Sequence, residues 1–171
     1  PPAGKAGLLS GMALTERQGG SDVRANETRA EPLADGGYAL TGEKWFCSAP
    51  MCDVFLVLAY APGGLTCFVM PRVLPDGERN RFHIRRLKDK LGSRSMASGE
   101  VTYQGAVGSV VGDIGRGFKQ MMEMVNLSRL SNAAVVPACQ PETLQNAVGE
   151  PALACVPVAS FLATEPAASR P

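Results

Sequence analysis

The run GLLSGMALTERQGGSDV, residues 7–23, decides how this chain is read. Its first part, through Thr15, is mostly apolar and reads as a strand; it then stops at a Thr-Glu pair and passes through Gly19 and Gly20 into Ser21 and Asp22. Consecutive residues without a Cβ let a backbone approach a ligand closely and aim N–H groups at it. Ser21 adds a hydroxyl to that cluster. Thr15 can both donate and accept a hydrogen bond, which suits the polar edge of a planar heterocycle. A plain turn, with Asp22 capping a loop or helix, explains the same composition, so the local sequence leaves both readings open.

Working outward, residues from Gly7 to Val111 alternate short runs rich in Val, Leu, Phe and Tyr with Gly, Pro, Asp and Asn punctuation, the pattern of an all-β sandwich or barrel. Strands are expected at GLLSGMALT, TRAEPLA, YALTGEKWFC, VFLVLAYA, LTCFVMPR, FHIRRLKD and SGEVTYQG. The DGG at 35–37 and the PGG at 62–64 read as hairpin connections. Beyond VGDIGRG the period changes: Phe118, Met121, Met122 and Val125 recur at helical spacing, which predicts a helix from near Gly115 to about Val136. Residues 137–171 then carry Pro137, Pro141, Pro151, Pro157, Pro166 and Pro171, which no long packed helix accommodates, and are expected to form an irregular tail. The expected organisation is a β domain over 1–112, a helix over 113–136 and a divergent tail over 137–171.

Composition narrows the function. The 171 residues are 45% hydrophobic and 19% charged, and 17 basic against 16 acidic residues give a net charge of +1, so nothing in the balance calls for a polyanionic partner. The five cysteines include no CxxC pair, which points away from a disulfide framework or zinc site and towards a reducing compartment, the cytoplasm. No membrane segment is read. A second cluster, TGEKWFCSAP at 41–50, holds the single tryptophan. Trp45 could lay its ring against a flat ligand while Ser48 and the backbone around Cys47 reach its polar edge; it could equally fill the core with Phe46. His83, the only histidine, has no partner at metal or triad spacing and reads as structural or solvated. The basic run Arg79, Arg81, Arg85, Arg86, Lys88 and Lys90 is diluted by Asp76, Glu78 and Asp89 and interleaved only with Phe82, so it reads as a solvated strand face or subunit contact rather than a nucleic-acid track. Glu16 and Asp22 read as residues that order the loop, not as a general base.

The segment ALTERQGGSDVRA resembles, position by position, the signature of the acyl-CoA dehydrogenase family, through Leu14, Thr15, Glu16, Gly19, Gly20, Ser21 and Asp22. GEKWF, KDKLGSRSMAS and GRGFKQMMEMVNLSR resemble further segments of that family in the same order, and the wording is most similar to its AidB-like branch. The resemblance spans roughly residues 3–135 and implies a middle β domain against which the isoalloxazine ring of FAD lies. By that resemblance Met12, Leu14 and Thr15 contact the ring, Gly20 and Ser21 meet the pyrophosphate or ribityl side, Trp45 packs beside the ring, and Phe46, Cys47 and Ser48 run past N5. Ser21 and Arg129 are the residues assigned to substrate. At Cys47 many members carry a threonine able to bond N5, and a thiol is a weaker donor. The implied activity is that of an oxidoreductase acting on CH–CH groups, the α,β-dehydrogenation of an acyl-CoA thioester, in a homo-oligomer; DNA and membrane are not expected as partners, and the alternatives are a non-catalytic flavoprotein remnant or a DNA-associated flavoprotein like the AidB-like branch, resting on the basic stretch at 79–90. No catalytic residue and no metal ligand is assigned, because the family's carboxylate base lies in a C-terminal helical domain. The change at residue 137 is the pattern expected of a truncated or frame-shifted reading frame, and the chain is expected not to be a competent enzyme by itself.

Overall fold

The computed structural model describes residues 5–91 and 94–139. All seven expected strands are present: β1 Ser10–Ala13, β2 Arg29–Pro32, β3 Tyr38–Ser48, β4 Val54–Ala61, β5 Gly64–Pro71, β6 Phe82–Leu87 and β7 Ser98–Val110. A single turn of 3-10 helix, Val23–Ala25, lies between β1 and β2, and helix α1 runs over Gly117–Cys139. The first strand is shorter than the apolar run suggested, because the backbone of Thr15 bonds to β3 outside a regular ladder.

β1 lies antiparallel to β3 and parallel to β4; β4 pairs antiparallel with β5, β5 with β7, and β7 with β3. These pairings return to their start, so β1, β3, β7, β5 and β4 close a five-stranded barrel. Closure removes free edges, and only β6 remains outside, paired to β7 alone. β2 shares a gap with β1: it pairs with the first half of β3 and touches β4 at Tyr60, while β1 pairs with Ser48 at the far end of β3 and with Val54–Val57 of β4. The two short strands thus fill opposite ends of one seam, and the chain between them crosses its middle.

The continuous apolar run of β4 reads as a strand covered on both faces, and Phe55, Val57, Leu58 and Ala59 are completely buried. Inside the barrel Phe55, Val57 and Ala59 join Leu40, Phe68, Met70, Val101 and Ala106, and Phe82 stacks between Phe55 and Tyr103 at centroid distances of 4.8 and 6.0 Å. The expected hairpin at 62–64 is made, with Ala61 opposite Gly64. After β7, Val111 N–H donates to the Cys67 carbonyl and Gly115 N–H to the Thr66 hydroxyl, which ties the approach to α1 onto β5. The described residues fall into two compact units divided between Met122 and Glu123. The barrel and the start of α1, with Met121 fully buried, form the first; the rest of α1 belongs to the second. The helix continues past its expected end at Val136 to Cys139, with Pro137 inside its last turn. The tail expected beyond it, from residue 140 on, lies outside the described residues. Among the described residues no helix is long and apolar enough to cross a membrane.

Candidate functional site

The site is built where the β1–β2 connection crosses β3. The carbonyl of Thr15 accepts two hydrogen bonds, from Trp45 N–H at 2.8 Å and from Phe46 N–H at 3.4 Å. Two donors reach one acceptor because β3 carries a bulge here: Lys44 pairs with Val101 and Cys47 with Gly99, so Trp45 and Phe46 together oppose Glu100. A bulge bends its strand and re-aims side chains. Trp45 is half-buried, Phe46 is 42% exposed, and Cys47 turns fully into the core. β6 is irregular at the same level, where Arg86 rather than Arg85 pairs with Glu100.

Beneath this crossing lies Glu16, which is 4% exposed. Its carboxylate accepts from Glu27 N–H at 2.5 Å, Thr28 N–H at 3.2 Å, Thr28 Oγ1 at 2.6 Å and Lys44 Nζ at 2.6 Å. Burial by itself raises a carboxyl pKa; here the charge of Lys44 and these hydrogen bonds outweigh it and hold Glu16 below its ordinary value. Burial pushes the Lys44 amine down to about 8, against the pull of Glu16. At neutral pH both are charged. A carboxylate held this firmly is a poor proton acceptor, so Glu16 orders the loop. Asp22 stands at the start of the 3-10 turn, but its carbonyl, not its side chain, receives Ala25 N–H.

The loop supplies its own reasons for the paired glycines. Gly19 adopts φ +114°, and a Cβ on Gly20 would come 2.7 Å from the Thr15 hydroxyl. Thr15 and Gly20 are therefore neighbours, and Ser21 follows in the open with its hydroxyl exposed. On the adjoining strands Met12 lies opposite Ser48. Met12, Leu14 and Thr15 are half-buried, and Phe46 and Ser48 are exposed. The hydroxyl available at this end of β3 is that of Ser48. The Cys47 thiol is buried among core residues, and burial, with Cys52 nearby, pushes its pKa to about 12. Cys47 offers a surface ligand only backbone groups, so the weaker donor capacity of a thiol does not bear on the site.

Trp45 lines a groove of about 690 Å³ with Arg17, Gln18, Arg29, Arg85 and Glu100, and none of the other eight residues assigned to the cofactor lines that groove. In particular Ser21, expected to share a slot with Trp45, is not part of it. Lys88 Nζ lies 3.2 Å from the indole centre, and the guanidinium carbons of Arg17 and Arg86 lie 5.2 and 5.8 Å from it. Lys88 is also 4.7 Å from the centre of Phe46. Glu100 accepts from Arg86 at 2.8 Å and from Lys88 at 2.6 Å, and these hydrogen bonds pull its pKa down to about 2. Arg85 pairs with Glu43, and Arg94 with Asp89. Three of the six basic residues in the run, Arg85, Arg86 and Lys88, are thus paired with acids, and His83 is exposed beside them. Among the described residues no group of His, Cys, Asp and Glu is arranged to hold a metal ion. Arg129 is exposed on α1, in the second compact unit.

The sequence reading passed over the Lys44 and Glu100 partnerships. Lys44 shares strand parity with the buried Leu40, so it was bound to point inward and to need an acid. That signal is present in the alternation of β3.

The fold is a small closed barrel with an aromatic and hydroxyl-bearing face at a strand bulge, followed by a helix. The sequence model described as "Acyl-CoA dehydrogenase, middle domain" matches residues 11–106, more than half of the chain. The chain belongs to the acyl-CoA dehydrogenase family. It is 53% identical over 133 residues to AidB of Escherichia coli strain K12, covering 78% of this chain and 25% of that protein. It is 36% identical over 135 residues to acyl-CoA dehydrogenase family member 11 of Caenorhabditis elegans, covering 72% of this chain and 22% of that protein. Among solved structures, C. elegans ACDH-11 in complex with C11-CoA superposes with a TM-score of 0.68 at 35% identity, over 74% of this chain and 23% of that one. An acyl-CoA dehydrogenase from Bacillus anthracis complexed with FAD gives 0.61 at 26% identity, over 70% of this chain and 20% of that one. The chain spans about a quarter of the length of these curated relatives.

Proposed function

We propose that this chain supplies the flavin-contacting face of an FAD-dependent acyl-CoA dehydrogenase. The observation that carries the reading is the bulge at Trp45–Phe46: it exposes an aromatic ring beside the Ser48 hydroxyl, and Thr15 holds it in place by its carbonyl. An exposed ring with half-buried Met12 and Leu14 fits the flat apolar surface of a tricyclic heterocycle, and the Thr15 and Ser48 hydroxyls fit its polar edge. Phe46 packs against the ring, Thr15 and Ser48 bond its edge, and Gly20 and Ser21 present main chain to the phosphate-bearing side. Bound here, FAD supplies the electron acceptor for α,β-dehydrogenation of an acyl thioester. Glu16 is not the base of that reaction, since its oxygens are taken up by Glu27, Thr28 and Lys44, which lower its affinity for a proton.

The substrate reading, an acyl-CoA thioester met by Ser21 and Arg129, rests on the family and on the C11-CoA complex of the C. elegans relative. Cys47, Cys52 and Cys67 are free thiols, which suits the reducing cytoplasm.

Equilibrium titration with FAD, read by Trp45 emission and by the flavin absorption band, tests the reading. Saturable binding that weakens roughly tenfold in Phe46→Ala is expected, a loss of about 1.4 kcal/mol. A wild-type chain that leaves both signals unchanged at millimolar FAD overturns it.

A further inference from the structure

Glu16 and Lys44 make none of the ligand contacts assigned above, yet two charges are buried there. A buried ion pair is weak evidence for stability, because apolar residues of similar volume often serve a fold as well or better. What such a pair supplies is direction. The Glu16 carboxylate ties the entry of β2, through Glu27 and Thr28, to the middle of β3, through Lys44. One residue before Glu16 is Thr15, whose carbonyl receives both bulge N–H groups; one residue after Lys44 is Trp45, the first of those donors. The acceptor and the donors of the bulge are therefore each one peptide unit from a member of the pair.

Gly42 supports the same reading. It takes φ +150°, and a Cβ there would come 2.7 Å from Thr28 Cα, so β3 runs hard against the residue that shares Glu16 with Lys44. The close approach brings the entry of β2 and the middle of β3 onto one carboxylate.

We propose that Glu16 and Lys44 are positioning residues, which fix the Thr15 carbonyl against the Trp45–Phe46 bulge and so set how Phe46, Thr15 and Ser48 are presented to flavin. This deepens the flavin reading and rests on it. The pair acts through the backbone and touches no ligand.

The test uses the whole chain and two variants: the double substitution Glu16→Leu with Lys44→Met, which removes both charges, and Glu16→Gln, which keeps the shape. Far-UV circular dichroism and thermal unfolding report the barrel. Acrylamide quenching and near-UV circular dichroism of Trp45, the only tryptophan, report the bulge without any ligand, and FAD titration reports the face. The expected result is a folded variant with altered Trp45 accessibility and FAD affinity reduced roughly tenfold or more. If the double variant does not fold, Glu16→Gln carries the same expectation. A folded variant whose Trp45 signals match wild type and whose FAD affinity stays within about twofold overturns the proposal. If wild type itself binds no FAD, the flavin reading fails, and the ligand-free Trp45 signals alone decide whether the pair positions the bulge: a change supports it, identity overturns it.

Discussion

Two polar groups lie deep in this barrel and are treated in opposite ways. At the seam, the Glu16 carboxylate meets four donors on two segments. In the interior, Tyr103 is 1% exposed and its hydroxyl has no hydrogen-bond partner among the described residues. Burial, then the proximity of Cys47 and Glu16, pushes the Tyr103 phenol well above its ordinary range. The contrast separates polarity that directs the backbone from polarity that merely accompanies a ring. Tyr103 is there for its stack on Phe82; Glu16 is there for its oxygens.

The largest effect expected of this contrast comes from removing half of the seam pair. Lys44→Met leaves an ionised carboxylate buried without its cation, and should lower unfolding free energy by about 3–5 kcal/mol in urea denaturation. A loss under about 1 kcal/mol means that Glu16 does not depend on Lys44. The next effect has the opposite sign. Tyr103→Phe keeps the ring and removes an unpaired buried hydroxyl, and should be neutral or stabilising by about 1 kcal/mol; clear destabilisation shows that the hydroxyl is bonded after all. The smallest change is confined to acid. Glu100 has a pKa lowered from 4.5 to about 2 by Arg86 and Lys88, so its contribution is present above 4.5 and is lost as pH falls towards 2. Glu100→Gln should leave a thermal-stability profile that is flatter than wild type across that window. Parallel profiles there contradict the assignment.

Much of this architecture was legible in the chain. Alternation in β3 and β7, the continuous apolar run of β4 and the PGG turn placed the strands, because each is set by local period and turn chemistry. Closure was not legible: it depends on β1 and β2 dividing one seam, a long-range pairing with no local signature. The packing of Gly20 beside the Thr15 hydroxyl was not legible either, since it depends on how the loop folds back. The bulge itself was not legible: it turns Cys47 into the core and exposes Phe46, a parity shift that simple alternation does not reveal. The basic run was read as diluted by nearby Asp76, Glu78 and Asp89, whereas the partners of Arg85, Arg86 and Lys88 are Glu43 and Glu100 on other strands.

The central claim is that the bulge-borne face meets flavin. Amide chemical-shift mapping of the isotope-labelled chain during FAD addition tests it most directly. Concerted, saturable shifts at Met12, Leu14, Thr15, Phe46 and Ser48, with little change at the Pro62–Gly64 hairpin, are the predicted result. Shifts centred on the hairpin, or none at the bulge while FAD binds, contradict it.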